Sequence, residues 1–92
     1  MNEQTLELLN KSKLQDHKKR VITQLIKKFD THHKLTLQQI KTYDQQGDYP
    51  QNAYYFALAW LQAKGLVQIH TIKINGDQHD QITYTLTNQA TT

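Results

Sequence analysis

The stretch LAWLQAKGLVQIHTIKINGDQHDQITYTLT, Leu58 to Thr87, changes its periodicity partway along. Leu58 and Leu61 keep helical spacing up to Gly65, which stands where a helix stops. From Val67 apolar and polar residues alternate through Ile74, the period of a strand with one buried face. Asn75-Gly76 is a favoured hairpin dipeptide, and the polar run through Asp80 lengthens the loop beyond a two-residue turn. Ile82 to Leu86 then repeats the alternation as a returning strand. A helix followed directly by a β-hairpin is therefore the local reading.

Working backwards, Gln51 to Lys64 is continuously helix-compatible, with Pro50 well placed near its start and Gln46, Gly47 and Asp48 breaking the pattern ahead of it. Thr36 can cap an earlier short helix that buries Leu37, Ile40 and Tyr43. Before it, Leu14, Val21, Ile22, Leu25, Ile26 and Phe29 fall on one face of a core helix over 14–29, interrupted at Asp30 to His33. Leu6 and Leu9 make a short apolar stripe on a brief N-terminal helix. The residues after Thr87 have little to bury and are expected to be disordered.

The order helix, helix, turn, helix, hairpin has company in specific residues. Leu58, Leu61, Gly65, Leu66 and Val67 stand as L-x-x-L-x-x-x-G-L-V, and the hairpin ends Y-x-L-T at Tyr84, Leu86 and Thr87. This pattern resembles the winged helix-turn-helix regulators of the MarR and PadR kind, and Tyr55 resembles a tyrosine that PadR-like proteins often carry there. The likeness covers roughly residues 14 to 87. It implies an α+β fold with a three-helix core and a β-hairpin wing, preceded by a short N-terminal helix or arm over 1–13 and followed by a tail over 88–92. It also implies a recognition helix at about 51 to 64, with Gln51, Asn52 and Tyr55 as its DNA-facing side chains, and a wing at about 67 to 87.

Charge points to a second surface. Residues 1–34 hold seven lysines and Arg20 against four carboxylates, whereas the rest of the chain is slightly acidic. Lys13, His17, Arg20, Gln24 and Lys27 recur at intervals of three and four, a stripe along the outer face of the 14–29 helix, with Lys18, Lys19 and Lys28 beside it. The functional reading of Lys13, Lys18, Lys19, Arg20 and Lys27 is a phosphate-facing surface, to which Lys73 would add a wing contact. The plainer reading is a solvated helix face. Asp77 and Asp80 at the wing would repel phosphate.

The proposed recognition helix is largely apolar on the side opposite Tyr54, Leu58 and Leu61, where Phe56 and Trp60 lie. Leu6, Leu9, Phe56 and Trp60 are accordingly the interface candidates, for a homodimer or a protein partner. Two readings follow. In the first, the chain is a DNA-binding regulator or accessory factor acting on duplex DNA. In the alternative, it is a winged-helix adaptor that grips protein through the apolar face of helix 51–64. Exposure of Phe56 and Trp60 separates them, since packing within the fold frees the helix for a groove and a solvent-exposed patch favours the adaptor.

Other classes find little footing. The chain has 92 residues, room for one domain, and no cysteine, so disulfides, thiolate metal sites and a cysteine nucleophile are excluded. The five histidines lack the spacing of a zinc site, Ser12 is the sole serine, and no glycine-rich phosphate loop occurs. Neither an enzyme, a metal nor a cofactor is expected. With no apolar run near the ~20 residues of a membrane span and no leader pattern, a soluble cytoplasmic protein without membrane contact is expected.

Overall fold

The computed structural model describes residues 3–73 and 80–91; for Ile72, Lys73, Asp80, Gln81 and Thr91 it describes the backbone alone. Five helices and three strands occur among the described residues: α1 (Glu3–Lys11), α2 (Asp16–His32), β1 (Lys34–Thr36), α3 (Leu37–Gln46), α4 (Ala53–Ala63), β2 (Val67–Lys73), β3 (Asp80–Leu86) and α5 (Asn88–Thr91). The class is α+β, and the layout is compatible with a winged helix. The strands form one antiparallel sheet in the order β1-β3-β2.

α2 is the central helix. Val21, Ile22, Leu25, Ile26 and Phe29 are buried, the face that the spacing predicts. The helix runs on through Asp30, Thr31 and His32 rather than breaking at Asp30. It stops at His33, whose φ of 63° directs its amide back to Phe29 O at 2.7 Å. Histidine is among the non-glycine residues that tolerate positive φ. β1 follows at once and has no counterpart in the sequence reading, because three residues are too few to show a period. Its Leu35 is fully buried and pairs with Tyr84.

Thr36 does cap α3. Its hydroxyl accepts from the Gln39 amide at 3.1 Å, while Gln39 Oε1 accepts from the Thr36 amide at 2.8 Å. This reciprocal pair satisfies two otherwise orphaned donors. At the far end of α4, Gly65 adopts φ +73°. Its amide donates to Gln62 O at 3.0 Å and the Leu66 amide to Leu61 O at 2.9 Å. These are the two bonds of a Schellman stop, and they turn the chain from α4 into β2.

β2 and β3 pair from Val67↔Leu86 out to Lys73↔Asp80. The hairpin dipeptide Asn75-Gly76 and Asp77 lie outside the described residues. The alternation in β2 does not bury what its pattern suggests: Val67 is buried, but Ile69 is 51% exposed. Ile69 lies opposite Tyr84 on β2, an edge strand of the sheet formed by the described residues.

The two ends of the chain also depart from expectation. The tail is not disordered through 88–91, because Asn88–Thr91 form a helical turn that buries Ala90. Thr87 sets it up by donating its amide to Leu66 O at 2.9 Å and its hydroxyl to Gly65 O at 2.7 Å. α5 packs against α1 and β3. The Leu6 and Leu9 stripe is split: Leu9 is 3% exposed and belongs to the core with Thr5 beside it, whereas Leu6 is 46% exposed.

Candidate nucleic-acid interface

α4 packs on α2 and α3 through Tyr54, Ala57, Leu58 and Leu61, all buried. Its opposite side carries Ala59, Gln62 and Ala63, all exposed, with Tyr55 half-buried at the margin. Phe56 and Trp60 lie between the two sides. Both are half-buried against the core, with Lys18 Nζ 4.7 Å from the Phe56 ring centroid and Lys64 Nζ 5.8 Å from that of Trp60. They do not form a bare apolar patch.

Gln51 and Asn52, read from sequence as the first turn of the recognition helix, precede it. Asn52 takes a left-handed conformation at φ 69°, and α4 begins at Ala53. Asparagine accepts this conformation more readily than most residues, so the chain turns there instead of continuing a helix. The start of α4 is closed by a side chain from α3. Asp44 Oδ2 accepts from the Asn52 amide at 2.9 Å and Oδ1 from the Tyr54 amide at 3.2 Å. A carboxylate on these amides also neutralises the positive end of the helix dipole. No local spacing signals this clasp, since the partners are eight and ten residues apart.

Gly47 lets the turn pass close under α3. A Cβ there would lie 2.8 Å from Tyr43 O and 3.1 Å from Tyr54 Cε2. Behind it the rings of Tyr43 and Tyr49 each stand 6.0 Å from that of Tyr54, and Lys28 Nζ lies 4.1 Å from the Tyr43 ring centroid. Burial, and then the neighbouring Tyr49, Asp48, Tyr43 and Asp44, raise the Tyr54 phenol above its ordinary value. Tyr84 is raised in the same direction by burial and then by Tyr55, which sets the base of the hairpin beside α4.

The turn over 47–52 meets α2 on two sides. A cleft of about 280 Å³ is lined by His17, Lys18, Pro50, Gln51, Asn52 and Phe56, among others, so two groups that sequence treated separately share one surface. A second recess brings Lys19 and Arg20 beside Tyr49, Leu6 and Leu9. The expected basic face is thus partly divided. Lys18 rests on an aromatic ring, Lys19 is half-buried, and Arg20 and Lys27 are exposed. Lys13 is exposed in the segment before α2 and outside the helical stripe. Lys73 has its backbone in β2, but its side chain lies outside the described residues, as does His79. His70 is exposed on β2 with Nε2 2.9 Å from Thr85 Oγ1.

Charge along this region is one-sided. No carboxylate occurs between Asp48 and Asp77, a run that includes all of α4 and β2 together with Lys64, His70 and Lys73. Among the described residues no group of three or more His, Asp and Glu is placed to hold a metal ion, and no helix is long and apolar enough to cross a membrane. Comparison with protein-family models, with curated proteins and with solved structures gives no match to the chain.

Proposed function

We propose that the chain is a DNA-binding winged-helix protein, a small transcriptional regulator or DNA-associated accessory factor, with α4 as its recognition helix and β2 and β3 as its wing. The observation that carries this reading is the absence of carboxylates between Asp48 and Asp77, a run that covers α4 and β2 while Asp80 opens β3, coupled with the exposed side of α4. A surface that meets a polyanion must desolvate against phosphate, and an unpaired carboxylate there would repel it. Of the two carboxylates ahead of α4, Asp44 is engaged by two backbone amides, and Asp48 is exposed in the turn. Lys18, Lys19 and Arg20 flank the turn ahead of α4 and supply the attraction. Affinity on this reading is mainly electrostatic, because few polar side chains face the groove.

The adaptor reading loses its main support, since Phe56 and Trp60 are packed against the core with lysines near their rings. Anisotropy of a labelled random-sequence duplex, titrated at two salt concentrations, tests the proposal. Binding should weaken steeply with salt, and changing Lys18, Lys19 and Arg20 together to Gln should lower the log–log slope by up to about three units, near one per phosphate lost. No binding at low salt would sink the proposal, and a slope unchanged by the triple substitution would remove α2 from the interface.

A further inference from the structure

Resting on the DNA-binding reading, the geometry points to a preference of α4 for A·T over G·C base pairs, read in the major groove. The exposed stripe of α4 consists of Ala59, Gln62 and Ala63, continued toward the turn by the half-buried Tyr55 and the exposed Asn52. Tyr55, Ala59, Gln62 and Ala63 recur at three and four residues and so share one side of the helix, while Asn52 stands in the turn just ahead of it. From Tyr55 to Ala63 the stripe spans about 12 Å at 1.5 Å per residue, the rise of about three to four base pairs.

Each base pair shows its own edge in the major groove. Guanine offers two acceptors, matched by arginine or lysine, and cytosine a donor, matched by a carboxylate. The sequence of α4 contains neither arginine, lysine nor carboxylate. Lys64 follows at the end of the helix with its Nζ 5.8 Å from the Trp60 ring centroid. What the stripe offers is complementary to A·T. Gln62 and Asn52 carry amides that can both accept from adenine N6 and donate to N7, and the Ala59 and Ala63 methyls suit the thymine methyl. These alanines are one turn apart and present no bulk, so the helix can sit deep enough for the Gln62 amide to reach a base edge. Gln62 is the residue assigned the largest share of this discrimination.

The test uses three labelled duplexes of equal length, built from A·T, G·C and inosine·C pairs. Inosine·C presents the G·C pattern in the major groove but lacks the guanine amino group in the minor groove, so it separates the two grooves. The expected result is binding about tenfold tighter to A·T than to G·C, with inosine·C behaving as G·C. Gln62→Ala should narrow that gap several-fold while leaving the salt slope unchanged. Equal affinity for all three duplexes overturns the preference and leaves DNA binding standing. Inosine·C behaving as A·T overturns the assignment to α4, since the minor groove would then be the part read. A gap unchanged in Gln62→Ala overturns the role of that residue. Binding to none of the three at low salt overturns the underlying DNA-binding reading.

Discussion

Asp44 joins stability to binding, and its removal should move the two in opposite directions. Asp44→Ala deletes both acceptors on the Asn52 and Tyr54 amides, at 2.9 and 3.2 Å. The side chain is partly exposed, so water replaces some of what is lost, and the appropriate scale is that of a helix cap rather than of a buried ion. Adding the lost dipole interaction, the expected destabilisation is about 1–2 kcal/mol. In a domain of this size that lowers the melting temperature by roughly 5–15 °C. Asp44→Asn keeps one acceptor and should lose about half as much. For duplex DNA the sign reverses. Removing a negative charge about 10 Å from phosphate in a water-like dielectric is worth about 0.4 kcal/mol, close to a twofold gain at low salt that fades as salt rises. Urea unfolding followed by Trp60 fluorescence gives the first quantity and anisotropy the second. A loss below about 0.3 kcal/mol in Asp44→Ala, at unchanged urea dependence, would show that the clasp does not hold α4. Affinity falling along with stability in Asp44→Asn would remove Asp44 from the neighbourhood of the bound duplex.

Three further outcomes are expected. Leu61→Ala empties a fully buried position on α4 and should cost roughly 2–5 kcal/mol in urea unfolding; a loss under about half a kcal/mol would contradict its place in the core. Gly47→Ala forces a methyl to within 2.8 Å of the Tyr43 carbonyl oxygen, which is backbone and yields little, so a destabilisation of about 1–3 kcal/mol is expected from thermal melts. Tyr54 and Tyr84 both have phenols raised above 10.0 in the folded chain, so the stability they confer is present below about pH 10 and is lost as pH climbs through their folded values. Chemical unfolding from pH 8 to 11 should show that loss, and Tyr54→Phe should shrink it.

The helices that were legible in sequence are those whose information is local. Five apolar residues at helical spacing, Val21 to Phe29, declare α2, although Leu14 falls before its start at Asp16, and Thr36 declares the start of α3. The end of α4 is similarly written in Gly65. What escaped is held by distant partners. β1 exists because Leu35 pairs with Tyr84, 49 residues later by chain number. α5 is anchored because Thr87 bonds the carbonyls of Gly65 and Leu66. α2 outlasts Asp30 because His33 closes its last turn onto Phe29, a conformation that its residue type permits but does not announce. Ile69 fails in the other direction. Its alternation is that of a half-buried strand, but an edge strand's burial depends on what lies beyond it.

For the candidate site the same distinction decides which residues could be recognised. The acid-free run from Asp48 to Asp77 is plain in the sequence, but its meaning depends on where the neighbouring acids go, and only the fold engages Asp44 in two backbone bonds. Lysines behave in the opposite way. Composition counts Lys18 and Lys28 with the basic stripe, whereas both ammonium groups lie over aromatic rings, at 4.7 and 4.1 Å. Such contacts contribute about 0.5–1 kcal/mol where exposed and fix a side chain that a free lysine would leave mobile. Each still carries its charge toward a phosphate, but from a set position. The cleft shared by Lys18, Gln51 and Asn52 thus presents a cation and two amides in a defined arrangement, and that arrangement, more than the net charge of +3, is what could align a duplex with α4.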